Sequence, residues 1–264
     1  ESFSADLQKI DNKNFIESTK IKLFDGEYAY SKSLFGQDTD AKRFVSELES
    51  EFLVSAVKGR ESSKSPLPAL TTSKLQQLAA RRFGWSGKQT MTLAQRLYEQ
   101  GLITYHRTDS VYLSEKAITE FRDYIVKKYG ENYLSPKVRI YKNTTKNAQE
   151  AHEAIRPSRV GVVEPEGLDS KELKLYQLIW KRAVATQAAA ARIESNSVDL
   201  TNNKALFRAN GLRVIFDGFY LISGEKHEDQ LLPELIVGQK IKAKKINIEE
   251  TETSSMPRYS DASL

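Results

Sequence analysis

The chain has 264 residues, 39% of them apolar, enough for one large domain or two smaller ones with separate cores. Its formal charge of +5 and pI of about 9.1 suit a polyanionic partner without requiring one. It has no cysteine, which excludes disulfides and thiolate metal sites and permits an intracellular address. No run approaches the roughly 18 apolar residues of a membrane span, so a soluble protein is expected.

The chain opens Glu-Ser-Phe without methionine and stops at Ser-Leu inside a polar stretch, so an internal piece of a longer protein is expected. Ile21, Leu23, Tyr28 and Tyr30 alternate with polar residues around Asp25-Gly26, the signal of a β-hairpin. Asp38-Thr39-Asp40, followed by Ala41-Lys42-Arg43, reads as a solvated helix start. Glu61 to Pro68 (ESSKSPLP) has the composition of a connector and predicts a domain boundary. Ser73 with Gln76 resembles a capping box. With Leu75, Leu78, Ala79 and Phe83 at helical spacing and Gly84 as a stop, it predicts a first helix. A second runs from about Thr90 to Gly101, and Leu102 to Arg107 reads as a strand. Helix, short turn, helix, strand resembles a winged-helix arrangement. Ser114 opens a third helix that ends at Gly130, with Ile118, Phe121 and Ile125 on one face. Pro136 to Pro165 lacks apolar periodicity and is expected to be a long, functional loop.

Asp169 or Ser170 caps a fourth helix carrying Leu173, Tyr176, Trp180 and Val184, with an alanine-rich continuation to about Ala191. Val214, Phe216, Phe219 and Leu221 then flank Asp217-Gly218 as a second hairpin. Phe24 to Ser31 and Phe216 to Ser223 share F-D-G-x-Y-x-x-S, five identities in eight positions. Two independent hairpins explain this at least as well as an ancient repeat does. Basicity is concentrated from Lys58 to Asp109, with nine basic residues against three acidic ones.

The chemistry-bearing stretch is Gly101-Leu-Ile-Thr-Tyr-His-Arg-Thr-Asp-Ser110. On an extended backbone Tyr105 and Arg107 share a face and His106 points away. Tyrosine ordinarily titrates near pH 10, so only about 0.1% is phenolate at neutral pH. A guanidinium alongside stabilises the phenolate and grips phosphate bidentately, the two needs of phosphoryl attack. Asp109 either orients Arg107 from behind or starts the following turn. His152-Glu153 suggests a zincin, but Arg156 stands where H-E-x-x-H needs its second histidine, and the metal reading fails.

The Leu-Ile-Thr-Tyr-x-Arg-Thr-Asp-Ser run resembles, nearly letter for letter, the active-site signature of type IA DNA topoisomerases. Gln149-Glu-Ala-His-Glu-Ala-Ile-Arg-Pro-Ser158 resembles a second segment of that family, in the form of bacterial topoisomerase I rather than topoisomerase III. Further matches at Leu70 to Ala79, Thr90 to Glu99, Leu175 to Trp180 and Pro257 to Leu264 extend the likeness from about residue 66 to the end.

The resemblance implies an α+β fold. In it a β-rich hinge domain of the toroid arch, residues 1–60 and 190–250, is interrupted by a helical, winged-helix-like insertion, 66–188. A further domain begins at 256–264. It implies that Tyr105 is the nucleophile, that Arg107 binds the scissile phosphate, and that His152 assists there by hydrogen bonding or proton transfer. Thr108 and Asp109 support them and His106 has no catalytic role; the basic middle region offers Lys74, Arg81, Arg82 and Lys88 as DNA contacts, and Arg156 is a further one. The partner is single-stranded or underwound DNA, the protein a monomer of the bacterial cytoplasm and nucleoid. The intact enzyme uses Mg2+ held in an N-terminal Toprim domain outside this chain, and the isolated chain is inactive. Competing readings are a non-enzymatic winged-helix module and a tyrosine recombinase or replication nickase. The three scattered histidines, His106, His152 and His227, speak against the nickase.

Overall fold

The computed structural model describes residues 2–23, 26–142, 152–254 and 258. The chain divides into two compact units, the first drawing on residues 1–62, 193–214 and 228–258, the second on 63–192 and 215–227. Of the further domain expected at 256–264, only Arg258 lies within the described residues.

The first unit opens with β1 (Asp6–Ile10) and β2 (Lys13–Asn14), followed by β3 (Ile16–Leu23) and β4 (Gly26–Ser33). The last two pair antiparallel in register, Thr19 opposite Tyr30 and Ile21 opposite Tyr28, so the first expected hairpin forms. Its turn residues, Phe24 and Asp25, lie outside the described residues. Helix α1 (Asp38–Ser46) begins at the Asp-x-Asp pair. Asp38 bridges Lys42 and Asp40 approaches Arg43 at 3.6 Å, as on a solvated helix face. The long strand β5 (Glu51–Lys64), β6 (Ala191–Asn202), β7 (Ala205–Phe216) and the short β8 (Lys240–Lys242) join β1 and β2 in a six-stranded sheet, ordered β2-β1-β7-β6-β5-β8. Period-two alternation builds its core: Phe52 and Val54, Val198 and Leu200, and Phe207 and Ala209 each put two side chains on one face, where they pack together. Asn203 supplies the left-handed residue (φ 50°) of the two-residue turn between β6 and β7.

Helices dominate the second unit: α2 (Thr72–Phe83), α3 (Gly87–Glu99), α4 (Glu115–Tyr129), α5 (Ser170–Ala185) and α6 (Phe219–Ser223). α2 packs on α3, α3 on α5 and α5 on α6. Leu75, Leu97, Phe121, Ile125, Leu175 and Ile179 are wholly buried. The fold is therefore mixed α and β, as expected.

Several boundaries differ from the sequence reading. Glu61 to Lys64 continues β5 and the connector shrinks to Ser65–Pro68, because serines are as acceptable as any small residue on an exposed strand. The cap of α2 is Thr71, whose Oγ1 accepts from the Lys74 amide at 3.3 Å, and α3 starts one turn earlier than expected, at a Ser86 cap. Ser114 and Asp169 cap α4 and α5 as expected, Asp169 within a reciprocal capping box with Glu172.

The alanine run does not prolong α5. The helix stops at Ala185, the Ala189 amide donates to the Tyr133 carbonyl at 2.7 Å, and Ala191 already lies in β6. Alanine's small volume serves close burial there and overrides its helical propensity: Ala188 and Ala191 are wholly buried. The second hairpin is also absent. Phe216 ends β7, and Asp217-Gly218 leads into α6 instead. The shared octapeptide is thus a coincidence of turn chemistry, not a structural repeat.

Gly218 has φ +50°, and a Cβ there would sit 2.6 Å from the Ala190 carbonyl oxygen and 2.7 Å from that of Ala189. Gly84 has φ +69° with open space around it. We predict that Gly218→Ala costs about 3 kcal/mol or more in urea unfolding, where strain and overlap add. Gly84→Ala should cost only about 1 kcal/mol. Equal losses would show that the backbone at Gly218 gives way.

Candidate active site

The tyrosine segment follows α3 directly. Gly101, left-handed at φ 69°, turns the chain, and the Leu102 amide returns to the Leu97 carbonyl at 2.9 Å. Ile103 is buried, and from Tyr105 burial alternates: Tyr105 is 44% exposed, His106 1%, Thr108 7% and Ser110 1%, while Arg107 and Asp109 are exposed. Tyr105 and Arg107 therefore share the outer side and His106 points inward. The segment is nevertheless no strand. A single bridge, Ile103 to Pro157, is its only β pairing among the described residues, so the winged-helix reading loses its wing strand.

Side chains and loops do the work of a sheet partner. Thr72, in the first turn of α2, donates through Oγ1 to the His106 carbonyl (2.8 Å) and accepts from the Thr108 amide (2.9 Å). The Thr72 amide donates to the Thr108 carbonyl at 2.8 Å. On the other side, Thr104 donates through Oγ1 to the Ala154 carbonyl (2.8 Å) and accepts from the Arg156 amide (3.0 Å). The Thr104 amide donates to the Arg156 carbonyl at 2.9 Å. Tyr105 is thus fixed between α2 and the 154–158 segment, and the two sequence motifs lie against each other. Thr108 belongs to this scaffold, its Oγ1 accepting from the Ser110 amide at 3.1 Å.

Rings brace the tyrosine. Tyr98, at the end of α3, meets the Tyr105 ring edge-on with centroids 5.3 Å apart, and His106 meets it at 5.3 Å from below. Burial and the neighbouring Arg107 lower the His106 pKa, with Glu99 opposing, so its imidazole is neutral at pH 7. It acts as a wedge, with an enclosed Nδ1 that lacks a hydrogen-bond partner among the described residues. Arg107 makes no hydrogen bond or ion pair among those residues, and no ion pair joins it to Asp109. Among the described residues its guanidinium is without a partner, on the same side of the segment as the exposed tyrosine.

His152 is half-buried, two residues before the Ala154 that Thr104 holds. Its neighbour Glu153 accepts from the Ser114 amide (2.7 Å) and from Arg156 Nη2 (2.7 Å) and Nε (3.3 Å), while Arg156 Nη1 donates to the Pro157 carbonyl at 3.0 Å. The Arg156 guanidinium, 15% exposed, is thereby committed to holding this loop to the start of α4. Lys74, Arg81, Arg82 and Lys88 are all exposed. Lys74 sits two residues from Thr72, whereas Arg81 lies about 13 Å from Thr72 along α2, so these cations do not form one cluster with Tyr105. Among the described residues no three His, Asp or Glu side chains converge to hold a metal ion, and no helix is long and apolar enough to cross a membrane.

Thr72, Thr104, Tyr98 and Glu153 were missed from sequence. Only the i, i+3 spacing of Glu153 and Arg156 could have signalled a pair.

Desolvation pushes Glu153 up, but the hydrogen bonds from Arg156 and Ser114 outweigh it and hold the carboxyl below its ordinary range. A depressed folded-state pKa means this stabilisation is complete above the ordinary glutamate pKa of about 4.3 and is lost as pH falls through the folded value. We predict that Glu153→Gln lowers stability at pH 7 by about 1–3 kcal/mol and flattens the acid limb of the unfolding profile. An unaltered acid limb would place the loop's anchor elsewhere.

The family model described as DNA topoisomerase matches residues 5–264. Among curated relatives, DNA topoisomerase 1 of Helicobacter pylori is 42% identical over 85% of this chain and 32% of its own length. That of Rickettsia bellii is 38% identical over 100% of this chain and 35% of its own. The full-length topoisomerase I structure from Thermotoga maritima superposes with a TM-score of 0.67 at 30% identity, covering 80% of this chain and 36% of that one. The chain thus spans about a third of the length of these proteins. With a match along almost its whole length, the chain belongs to the bacterial DNA topoisomerase family.

Proposed function

We propose that this chain supplies the nucleophile of a type IA DNA topoisomerase, acting on single-stranded or underwound DNA in the bacterial cytoplasm as part of a monomeric longer protein. The observation that carries the reading is the exposed Tyr105, its backbone held by Thr72 and Thr104, on the same side as an Arg107 that has no partner among the described residues. Tyr105 Oη attacks a backbone phosphorus, forming a 5′-phosphotyrosine as the bond to the 3′ oxygen breaks. The phenolic proton is lost and the departing 3′ oxygen is protonated. Religation reverses these steps after strand passage, and because the phosphodiester energy is kept in the tyrosine ester, no nucleotide is hydrolysed.

Arg107 binds the scissile phosphate and offsets the charge that grows on it, a preorganised contact that needs no rearrangement during reaction. His152 stands on the loop held to Thr104, where it hydrogen-bonds the phosphate or passes a proton. Thr108 fixes the backbone after Arg107. Lys74 extends the positive surface near the tyrosine segment, with Lys88, Arg81 and Arg82 farther along the helices. Arg156 acts by positioning the loop. The family resemblance puts the Mg2+ of the intact enzyme in a domain outside this chain.

Covalent trapping tests the reading. In the intact protein Tyr105→Phe should form no covalent DNA complex, Arg107→Ala should cleave about 10²- to 10³-fold more slowly, and Arg107→Lys should fall between it and wild type. Melting temperatures should be unchanged, since Arg107 is exposed and unpaired. Covalent complex formation by the Phe variant, or wild-type cleavage by Arg107→Ala, would refute the assignment. The 264-residue chain alone should not relax supercoiled DNA.

A further inference from the structure

The second unit carries Arg81, Arg82, Arg139 and Arg182, and the first two, at the end of α2, lie within electrostatic reach of Arg182. Arg182, in the last turn of α5, is half-buried, with an enclosed Nε that meets no acceptor and no ion-pair partner among the described residues. Arg139 Nε is enclosed and unsatisfied in the same way, and its Nη1 reaches only Ser65 Oγ, at 3.3 Å. Arg81 and Arg82, at the end of α2, repel Arg182, and Tyr141 lies within electrostatic reach of both Arg139 and Arg182. Glu225 attracts Arg182 from beyond ion-pair distance. Arg139 and Tyr141 line an open cleft of about 480 Å3.

At each of these arginines only Nε is enclosed; an unsatisfied buried donor in a native fold calls for an explanation, and an anion held by the rest of the same guanidinium supplies one by offsetting its charge. Two such arginines, one of them within reach of Arg81 and Arg82, which have no ion-pair partner among the described residues, match a phosphate, which accepts planar, bidentate hydrogen bonds. The cleft's own chain favours a polymer over a free ion. From Lys137 to Ile140 cationic and apolar side chains alternate, and Val138 and Ile140 are 50% and 73% exposed, which suits a strand presenting phosphates and bases in turn.

We infer that Arg182 and Arg139, flanked by Arg81 and Arg82, form a second phosphate-binding site that takes a backbone phosphodiester of single-stranded DNA away from the one Tyr105 attacks. The site rests on the reading of the chain as DNA-acting, which it deepens by placing a second grip on the same strand.

The test measures binding of a fluorescent oligothymidylate to the 264-residue chain across a salt series. Arg182→Met and Arg139→Met should each bind roughly tenfold more weakly. Each should lose about 0.7 from the slope of log affinity against log salt, one phosphate contact. Lys42→Met, which removes a cation from α1, should match wild type. In phosphate-free buffer Arg182→Met should melt no lower than wild type, because it removes an unpaired, half-buried charge. Added inorganic phosphate at constant ionic strength should raise the wild-type midpoint and not that of Arg182→Met. If wild type binds oligothymidylate and both Met variants bind equally well, the inference alone falls. Stabilisation by inorganic phosphate alongside unchanged oligothymidylate binding would overturn the DNA assignment in favour of a free-phosphate site. If wild type binds no oligothymidylate, the DNA-acting reading falls and the inference with it.

Discussion

The tyrosine segment depends on one constraint: an extended backbone with no neighbouring strand must still satisfy its amides and carbonyls. A sheet would do this through a ladder. Here two threonine hydroxyls take that role, each donating to one carbonyl and accepting from one amide, Thr72 at His106 and Thr108 and Thr104 at Ala154 and Arg156. Because one hydroxyl serves two backbone groups, the segment needs no width of sheet around it. Tyr105 and Arg107 can then face outward from a rigid base. A central strand would have lost that access, and a free loop would have lost the rigidity that preorganised chemistry requires.

This economy explains why the site was legible in sequence and its support was not. Alternating burial from Tyr105 to Ser110 follows from period-two geometry, so the shared face of Tyr105 and Arg107 could be read directly. The strand expected over Leu102 to Arg107 could not be distinguished from an isolated extended segment, since both have the same local pattern and differ only in what lies beside them. Thr72 and Thr104 look like ordinary polar residues, one at a helix start and one in an apolar run. Their partners are 36 and 50 residues away in sequence, at Thr108 and Ala154, and such separations leave no local signal.

The same limit governs the elements that were misread. Capping chemistry at Ser114 and Asp169 acts within one helical turn and was visible. The alanines after Ala185 have helical propensity worth tenths of a kcal/mol each, which is small against the burial of Ala188 and Ala191 in a close-packed place. Asp217-Gly218 carries a hairpin's turn residues, yet the glycine serves a contact too close for any Cβ, against the Ala189 and Ala190 carbonyls. Turn residues report a permitted backbone angle, and tertiary contacts decide whether a strand or a helix comes after it.

Charge compensation separates the arginines of this chain by role more clearly than exposure does. Arg208 is held by both oxygens of Asp199, at 2.6 and 2.9 Å, and Arg156 by Glu153 and the Pro157 carbonyl, so their donors are spent on the fold. Arg107 and Arg182 have no such partners among the described residues, the first on the surface and the second half-buried. An unpaired surface guanidinium is solvated and costs the fold little, whereas a half-buried one with an enclosed, unsatisfied Nε is carried at a loss. A folded chain can tolerate that loss when most of its stability comes from elsewhere, here from the packed helices around Leu97, Phe121 and Ile179. Among the described residues, the arginines whose charge the fold leaves uncompensated are where an anionic partner has most to offer.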